Sequence, residues 1–291
     1  MTRTSPPTLA ATVRRAVAVL AEAGVPSPEA DAVALAAHTL GCSGAQTRRR
    51  MILGEPVDDD VVSAYDALVA QRSARVPLQH LTGTAAFRHL TLRVGPGVFV
   101  PRPETEIVAQ AAIDEARVCG VTPLVVDLCA GSGAIALSIK EEVPHARVVA
   151  VELDPLALGW AAANLEWTGL AVELVAGDAA EALPGREASV DVVISNPPYI
   201  PTGMVPIEPE VRDHDPHIAL YGKSADGLRV PLAVAERAAA LLRPSGLLVM
   251  EHADSHGAVL PKRLRDSGLW TDVEDHVDLA GRPRYATARR R

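Results

Sequence analysis

The pattern of hydrophobic and polar positions changes twice along the chain and divides it into three parts. In residues 1–75 apolar side chains recur every three or four positions, as they do in amphipathic helices. Between residues 76 and 103 apolar and polar positions alternate, which is typical of strands. From 104 to 291, short runs of Val, Ile and Leu alternate with longer helical stretches. The pattern predicts a helical bundle, a β-hairpin linker and an α/β domain.

Residues 1–75 are predicted to form a small bundle. The helix in "LAATVRRAVAVL" has one apolar face, and Gly24 is placed to end it. The next helix starts with Ser27 as N-cap and Pro28 at the first helical position, and Gly41 ends it. The third, "DDDVVSAYDALVAQ", has an acidic first turn. Such a bundle is either a structural extension or a recognition domain.

The hairpin is predicted to turn at 95–97, "GPG", before "VFV" and "PRPETE" lead into an Ala-rich helix. From residue 122 onward the predicted strands alternate with helices. Continuous apolar strands between helices indicate a mostly parallel sheet covered on both faces. The tail predicts two antiparallel closing strands. The segment 200–225 is long for an ordinary connection, and we expect a loop that closes over a substrate.

Composition narrows the functional classes. Of 291 residues, 48% are hydrophobic, so the chain can bury a substantial core. The net charge of −8 comes entirely from residues 76–291, where 20 basic residues face 28 acidic ones; residues 1–75 hold eight of each. An acidic larger domain argues against tight non-specific binding to nucleic acid, although "TRRR" (47–50) is a local basic patch.

The sequence also predicts a cytoplasmic location. No apolar run approaches the roughly 18 residues of a membrane span. The start, "MTRTSPPTLAATVRR", lacks the apolar core of a signal peptide and predicts a frayed terminus before a helix. Cys42, Cys119 and Cys129 are odd in number and form no CxxC pair, so neither a disulfide framework nor a zinc knuckle is expected.

The first predicted strand of the α/β domain runs into a glycine-rich turn. "DLCAGSG" (127–133) lies where this strand gives way to a helix, and its small residues let the backbone approach a ligand at the helix N-terminus. The turn residues are Cys129, Ala130, Gly131, Ser132 and Gly133. A glycine turn alone is often a simple connection. The first position expected to be glycine is Cys129, which weakens a dinucleotide fingerprint.

Acidic residues end the next two predicted strands. Glu152 follows Asp127 by 25 positions, and an acidic side chain there is the usual partner of two ribose hydroxyls. It could instead cap the next helix, but Asp154 with Pro155 already supplies that cap. Asp178, before Ala179, could meet an adenine amino group or could be a solvated turn residue.

The fourth predicted strand ends in "SNPPYIP", which contains Asn196, Pro197, Pro198 and Tyr199. Proline cannot donate to a sheet ladder, so the strand must stop there. Because ligands of open parallel sheets bind beyond the carboxyl ends of the strands, the four strand-end residues should face one crevice. They are Asp127, Glu152, Asp178 and Asn196.

These residues carry a family resemblance. Their order is similar to that of class I S-adenosylmethionine-dependent methyltransferases acting on planar nitrogen. More specifically, "VPLQHLTGTAAFRHLTLRVGPGVFVPRPETE", "DLCAGSGAIALSI", "ISNPPYIP", "DGLRVPL" and "DLAGRPRYATARR" resemble the HemK (PrmC) family. The resemblance runs from about residue 75 to the C-terminus. The NPPY motif by itself is shared with DNA and RNA amino-methyltransferases, and "PRPETE" makes the likeness more specific.

The resemblance implies a Rossmann-like class I methyltransferase sheet with a small N-terminal helical domain. It implies S-adenosylmethionine as cofactor and methylation of N5 of the glutamine in the Gly-Gly-Gln motif of peptide chain release factors. It carries the cofactor-binding role onto Asp127, Cys129, Ala130, Gly131, Ser132, Gly133, Glu152, Asp178, Ala179 and Asn196. It carries the catalytic role onto Asn196, Pro197, Pro198 and Tyr199. The N-terminal helices would recognise the partner protein.

The chain departs from the family at three places. The family often has glycine at position 129, and it often has an aromatic residue where Ala179 stands. It tends to have Glu-Ile-Gly where residues 251–253 are "EHA". The first two departures concern how the cofactor is held.

The NPPY motif suits an amide substrate. A glutamine amide nitrogen is a poor nucleophile because its lone pair is delocalised into the carbonyl group. Hydrogen bonds from the amide to the Asn196 side-chain oxygen and the Pro197 carbonyl could aim that lone pair, and Tyr199 could stack on the amide plane. The prolines fix these acceptors in advance, so alignment rather than a strong base would lower the barrier.

Other functions stay open at this point. An adenine or cytosine methyltransferase shares the NPPY motif but predicts a basic channel. A glutamine in a ribosomal protein is another possible substrate, and a cofactor-binding scaffold without activity is a third alternative. A metal site is not predicted, because neither "DHDPH" (213–217) nor His252 with His256 has a convincing third ligand.

Overall fold

A computed structural model describes residues 6–291. The predicted frayed start, residues 1–5, lies outside the described residues. The chain divides into two compact units. The first comprises the chain up to Thr84 together with residues 206–214, and the second comprises 85–205 and 215–291. The hydrophobic pattern had predicted divisions at 75 and 103.

Twelve α-helices are found among residues 6–291. They are α1 (Leu9–Glu22), α2 (Pro28–Thr39), α3 (Gly44–Ile52), α4 (Asp59–Ser73), α5 (Leu78–Thr82), α6 (Pro103–Val118), α7 (Ala134–Glu142), α8 (Pro155–Thr168), α9 (Pro209–His214), α10 (His217–Leu220), α11 (Arg229–Leu241) and α12 (Val259–Asp266). A 3-10 turn spans Asp254–His256. None of these helices is long and apolar enough to cross a bilayer.

The same part of the chain contains nine strands. They are β1 (Thr84–Phe87), β2 (Leu90–Arg93), β3 (Leu124–Leu128), β4 (Arg147–Glu152), β5 (Glu173–Ala176), β6 (Val190–Ser195), β7 (Leu242–Glu251), β8 (Trp270–Val277) and β9 (Pro283–Arg290). Strands β1 and β2 form the hairpin. The other seven form one sheet in the order β5-β4-β3-β6-β7-β9-β8, parallel except for β9, which pairs antiparallel with β7 and β8.

The predicted α/β architecture is therefore confirmed, including the antiparallel closing pair. Alternate residues of β3 belong to different core clusters: Val125 packs in one and Val126 in the other. Because successive strand residues point to opposite faces, both faces of the sheet are covered. All five residues of β3 are buried, as expected for a central parallel strand.

The predicted turn at "GPG" is present at residues 96–97, but it is not the turn of the hairpin. The hairpin turns at 88–89, between β1 and β2, and the two glycines follow it. Their reason is packing: a Cβ on Gly95 would lie 2.6 Å from the ring of Trp160, and one on Gly97 would lie 2.9 Å from Leu156. Close approach to side chains of α8 favours glycine at both positions, and at Gly97 the turn geometry, with a φ of 91°, favours it as well.

The helix α3 was not predicted because it lacks an apolar face. Its start nevertheless carries a signal: Ser43 and Gln46 form a capping box, with each side chain accepting the other's backbone N–H. The first unit has its own core, in which the phenol of Tyr65 donates to the carbonyl of Ala32 at 2.9 Å.

The long segment after "NPPY" is folded rather than a plain loop. Residues 206–214, which include α9, belong to the helical unit. The Glu210 carboxylate accepts hydrogen bonds from Arg75 at 2.8 and 2.6 Å, and it forms an ion pair with the buried Arg72 at 2.8 Å. Arg72 also donates to Asp31 at 2.7 Å. Burial alone would raise the pKa of Glu210, but the bonds from the two arginines lower it, to about 2.

This ion-pair network makes a testable prediction for stability. A carboxyl group with a lowered pKa stabilises the fold above its ordinary pKa, and that contribution is lost as the pH falls towards its folded value. We expect Glu210→Gln to lower the free energy of unfolding by about 1–3 kcal/mol at pH 7. The difference should shrink below pH 4.5 and vanish near pH 2. Urea denaturation across this range measures it, with Glu208→Gln, an exposed carboxylate of the same segment, as the control. An equal loss in both variants would contradict the role of the network.

Candidate active site

The strand ends that carry the predicted site residues are brought to one edge of the sheet. In the register of the sheet, Leu128 of β3 pairs with Val151 of β4 and with Ser195 of β6. Ser195 in turn pairs with Met250 of β7, and Glu152 pairs with Ala176 of β5. The residues that follow this row therefore lie at one level along the carboxyl edge. They are Cys129, Glu152, Asn196 and Glu251.

Asp127 is fully buried beneath the glycine-rich turn. Its Oδ2 accepts the backbone N–H of Ala136 at 3.1 Å. Its Oδ1 has no hydrogen-bond partner among the residues that the structure describes. Burial raises the pKa of this carboxyl to about 7, and the charge of Glu152 adds to the rise. A buried acceptor without a donor is costly, so this oxygen suits a ligand that brings one.

The turn itself uses left-handed backbone conformations. Cys129, Gly131 and Gly133 have φ values of 68°, 57° and 81°. A side chain at Gly131 would meet nothing within 4 Å, so the space above it is open. A non-glycine residue in the left-handed region costs roughly 1–2 kcal/mol. This cost explains the expectation of glycine at position 129. Cys129 is half-buried, and burial raises the pKa of its thiol.

Glu152 joins the turn to the end of β4. It is buried; its Oε2 accepts the N–H of Gly131 at 2.7 Å, and its Oε1 accepts the N–H of Asp154 at 2.8 Å. Asp154 caps α8 as predicted, through the N–H of Leu156 at 2.7 Å. Each oxygen of Glu152 keeps a second lone pair, so the carboxylate can also accept ribose hydroxyls.

The third predicted acidic residue has a different environment. Asp178 is exposed, and its Oδ1 accepts the N–H of Ala180 at 2.9 Å in a tight turn. Ala179 is buried in the hydrophobic core beside the sheet. The role of a solvated turn residue, which was the alternative to an adenine contact, is thus present in the structure. The adenine contact stays a prediction.

Asn196 stands at the tip of β6. The hydroxyl of its neighbour Ser195 donates to the carbonyl of Leu128 at 2.6 Å and ties the tips of β3 and β6 together. The side-chain nitrogen of Asn196 donates to the hydroxyl of Thr105 at 3.4 Å. Within residues 6–291 no group donates to the Asn196 Oδ1. The side chain is therefore held by its nitrogen, which leaves its oxygen available to a substrate.

The turn after Asn196 is braced by backbone contacts. The N–H of Ile200 donates to Leu220 at 2.8 Å, and the N–H of Gly222 donates back to Ile200 at 2.9 Å. Gly227, from "DGLRVPL", packs directly on the turn: a Cβ there would lie 2.1 Å from the carbonyl oxygen of Tyr199. The rigid arrangement predicted from the prolines therefore has a second cause, which is this buttress.

Three polar residues of the site were missed from the sequence. Asn164 of α8 is fully buried; it accepts the N–H of Arg93 at 2.7 Å and donates to the carbonyl of Ser132 at 3.0 Å, which supports the glycine-rich turn. Thr105 holds Asn196, and the buried Glu251 accepts from the phenol of Tyr199 at 3.4 Å. The signal for Asn164 was a lone amide among the alanines of "AAANLEW".

The histidines considered as metal ligands have protein partners. The buried His252 contacts Asp275 through Nε2 at 2.9 Å and the Ala253 carbonyl through Nδ1 at 2.8 Å. His256 contacts the carbonyl of Asp226 at 2.9 Å. Across residues 6–291 no group of three His, Cys, Asp or Glu side chains is arranged to hold a metal ion.

The geometry fits an adenosyl ligand bound at the edge of the sheet. The open space over Gly131, the unpartnered oxygen of Asp127 and the strand-end carboxylate of Glu152 are complementary to a cofactor that carries hydroxyl groups and a positive charge. Together with the order of the sheet, they define the class of Rossmann-like methyltransferases.

Comparison with known proteins gives the family. The sequence models of the PrmC N-terminal domain and the methyltransferase small domain match residues 11–83 and 94–205. The chain is 50% identical over 284 residues to the release factor glutamine methyltransferase of Streptomyces coelicolor, covering 97% of this chain and 98% of that protein. It is 45% identical to that of Mycolicibacterium smegmatis, with 96% of both chains covered. The chain belongs to the release factor glutamine methyltransferase family, as the motifs predicted.

A solved methyltransferase structure has a similar fold. A T. thermophilus 16S rRNA methyltransferase in complex with AdoMet and guanosine superposes with a TM-score of 0.51 and 24% identity. The match covers 72% of this chain and 50% of that chain. At this identity the likeness concerns the fold alone.

Proposed function

We propose that this protein transfers a methyl group from S-adenosylmethionine to N5 of the glutamine in the Gly-Gly-Gln motif of peptide chain release factors. The observation that carries the proposal is the environment of Asn196: its side-chain nitrogen is held by Thr105, and its oxygen is free at the start of a braced turn. An amide acceptor fixed in this way suits an amide substrate. Membership of the release factor glutamine methyltransferase family supports the choice of substrate.

The residues proposed to hold the cofactor are Asp127, Cys129, Ala130, Gly131, Ser132, Gly133, Glu152, Asp178, Ala179 and Asn196. When bound, S-adenosylmethionine supplies an electrophilic methyl group on a sulfonium. Glu152 would accept the ribose hydroxyls while it keeps its bond to Gly131. Asp127, whose pKa burial raises to about 7, would be held ionised by a nearby positive charge.

The proposed catalytic residues orient the substrate amide. The oxygen of Asn196 and the carbonyl of Pro197 would accept the two amide hydrogens, which turns the nitrogen lone pair away from conjugation. Pro197 and Pro198 limit backbone rotation, and the ring of Tyr199 would cover the amide plane. No side chain needs to take the proton before transfer: as the nitrogen–methyl bond forms and the sulfur–methyl bond breaks, the positive charge would pass to the amide nitrogen. S-adenosylhomocysteine would leave as the neutral thioether, and the strongly acidic methylated amide cation would lose its proton to solvent. Rate enhancement would come mainly from alignment.

The same proposal assigns a role to the helical unit and a cellular location to the protein. The helical unit would recognise the release factor, and the protein would act in the cytoplasm, where that partner occurs. Nucleic-acid amino-methylation is the alternative function because it shares the NPPY motif. The acidic excess of residues 76–291 disfavours tight binding to a phosphate backbone.

A tritiated-methyl transfer assay tests the proposed reaction. The purified protein and labelled S-adenosylmethionine are offered a release factor, its Gly-Gly-Gln variant with alanine in place of glutamine, and duplex DNA. We expect label on the unmodified factor alone. Label on the alanine variant would contradict the assigned glutamine, and label on DNA would favour the alternative function.

A second prediction concerns cofactor binding. Glu152→Ala removes the acceptor proposed for the ribose hydroxyls, and the loss of such hydrogen bonds costs about 1–3 kcal/mol of binding free energy. It also removes the acceptor of the N–H groups of Gly131 and Asp154. We expect the Kd of S-adenosylmethionine to rise by roughly 5- to 150-fold. Isothermal titration calorimetry measures this change, and Glu166→Ala, an exposed carboxylate on α8, is the control. Unchanged cofactor affinity with slower turnover would overturn the role given to Glu152.

A further inference from the structure

Glu251 is a buried carboxyl group that the mechanism above does not use. It ends β7, directly opposite Tyr285 of β9, and only 2% of the residue is exposed. Its Oε1 accepts from the phenol of Tyr199 at 3.4 Å, whereas Oε2 has no hydrogen-bond partner among the described residues. An acid buried at this cost beside a substrate-facing residue calls for a functional explanation.

Three separate motifs meet at this carboxyl group. Thr105 comes from "PRPETE", Tyr199 from "NPPY" and Arg284 from "DLAGRPR". The Thr105 hydroxyl accepts from the side-chain nitrogen of Asn196 at 3.4 Å, and its own hydrogen is then available to Glu251. Thr105 and Arg284 both act to lower the pKa of Glu251, so both lie close to its charge. Arg284 is itself fixed by Asp278 at 2.9 Å.

Glu251 therefore stands behind both side chains that would contact the substrate amide. It accepts from Tyr199 directly, and Thr105, which accepts from Asn196 at 3.4 Å, is near enough to lower the pKa of Glu251. The oxygen–oxygen distance to Tyr199, 3.4 Å, is long for a hydrogen bond, so a small movement of the ring would make or break the contact. Without Glu251, the phenol would lose its acceptor and the ring could rotate away.

We infer that Glu251 is a positioning residue for amide methylation: its carboxylate orients Tyr199 directly and Asn196 through Thr105. The inference rests on the proposed function. It explains why the buried Glu251, Thr105 of "PRPETE" and Arg284 of "DLAGRPR" lie together. Glu251 does not itself touch the substrate or the cofactor.

The test is a double-mutant cycle measured as kcat with saturating release factor and S-adenosylmethionine. We expect Glu251→Gln, which keeps the shape but weakens the acceptor, to lower kcat by about 5- to 30-fold. Tyr199→Phe should lower it comparably, and the double variant should be no slower than the slower single one. The Kd of S-adenosylmethionine should stay within about twofold, because the cofactor residues are untouched. Glu115→Gln, which breaks a part-buried ion pair with Arg289, is the control and should leave kcat unchanged.

A pH profile supplies a readout that a purely structural role would not move. Burial raises the pKa of Glu251 to about 7; Glu104 adds to the rise, while Thr105, Arg284 and Tyr199 oppose it. A protonated carboxyl is a weaker acceptor, so the wild-type kcat should fall as the pH drops through about 7. That part of the decrease should be absent from Glu251→Gln. Asp127, whose pKa burial also raises to about 7, is the same in both enzymes and therefore produces no difference between their profiles.

Thr105 provides a second pair of variants that does not depend on Glu251→Gln folding. Thr105→Val should reproduce the loss in kcat, and Thr105→Ser, which keeps the hydroxyl, should restore it. Independent, multiplying effects in the cycle would overturn the inference, as would wild-type turnover of Glu251→Gln or of Thr105→Val. If the wild-type protein itself fails to methylate the factor, the proposed function and this inference fall together. Failure confined to the variants' predictions refutes the inference alone.

Discussion

Asn196→Ala is expected to slow methyl transfer strongly while cofactor affinity stays nearly unchanged. The substitution removes the one side-chain acceptor that is fixed through Thr105 and free towards the substrate. Loss of such an acceptor costs about 1–3 kcal/mol, or roughly 5- to 150-fold in kcat, and misalignment of the amide adds to that loss. Single-turnover transfer of labelled methyl to the release factor measures the effect.

Two controls accompany this prediction. Calorimetric binding of S-adenosylmethionine should give nearly the wild-type Kd, and the melting temperature should show that the variant is folded. A variant that turns over at the wild-type rate would refute the role given to Asn196 in orienting the substrate amide. A variant that loses the cofactor and keeps its rate at saturation would leave Asn196 with the cofactor-binding role alone.

Gly227→Ala is expected to have the second large effect, although the residue contacts no substrate. Its added Cβ would lie 2.1 Å from the carbonyl oxygen of Tyr199 and 3.0 Å from the nitrogen of Pro201, and both are backbone atoms. The residue also has a φ of 74°, where alanine is strained. Overpacking and strain together should lower the free energy of unfolding by about 2–5 kcal/mol. If the turn moves instead to relieve the contact, kcat should fall because the substrate-orienting residues are displaced.

Gly203 offers a matched control in the same segment. Its φ is 92°, but a Cβ there would meet nothing within 4 Å. Gly203→Ala should therefore show only the cost of backbone strain, about 1–2 kcal/mol. Urea denaturation and kcat are measured for both variants. Equal behaviour of the two would mean that the contact with Tyr199 does not brace the catalytic turn.

Much of the sheet could be predicted because its strands are sharply marked. The run before Asp127 is apolar throughout, and such runs between helices form central parallel strands. Knowing that strands are parallel places their carboxyl ends together, so Glu152 and Asn196 could be assigned to one edge before any coordinates. Periodicity thus located the edge of the sheet at which the proposed site residues lie.

The rest depended on contacts between distant residues. Glu251 looks like any acidic strand end, and only its burial beside Tyr199 distinguishes it. The glycines at 95 and 97 were assigned to a turn alone, because a pattern along the chain does not show that Trp160 and Leu156 of α8 would lie within 3 Å of an added Cβ there. Helix α9 was not predicted because charge pairing of Glu210 with Arg75, rather than an apolar face, stabilises it.

The course of the chain around residues 206–214 has a consequence for how the protein can be divided. The chain passes between the two units three times: after Thr84, after Val205 and after His214. A single protease cut behind Thr84 would leave a fragment that still carries the partner of Arg72 and Arg75. The helical unit is therefore not a detachable module. Recombination that exchanges residues 1–84 between relatives must also match a nine-residue insert that lies more than a hundred positions downstream.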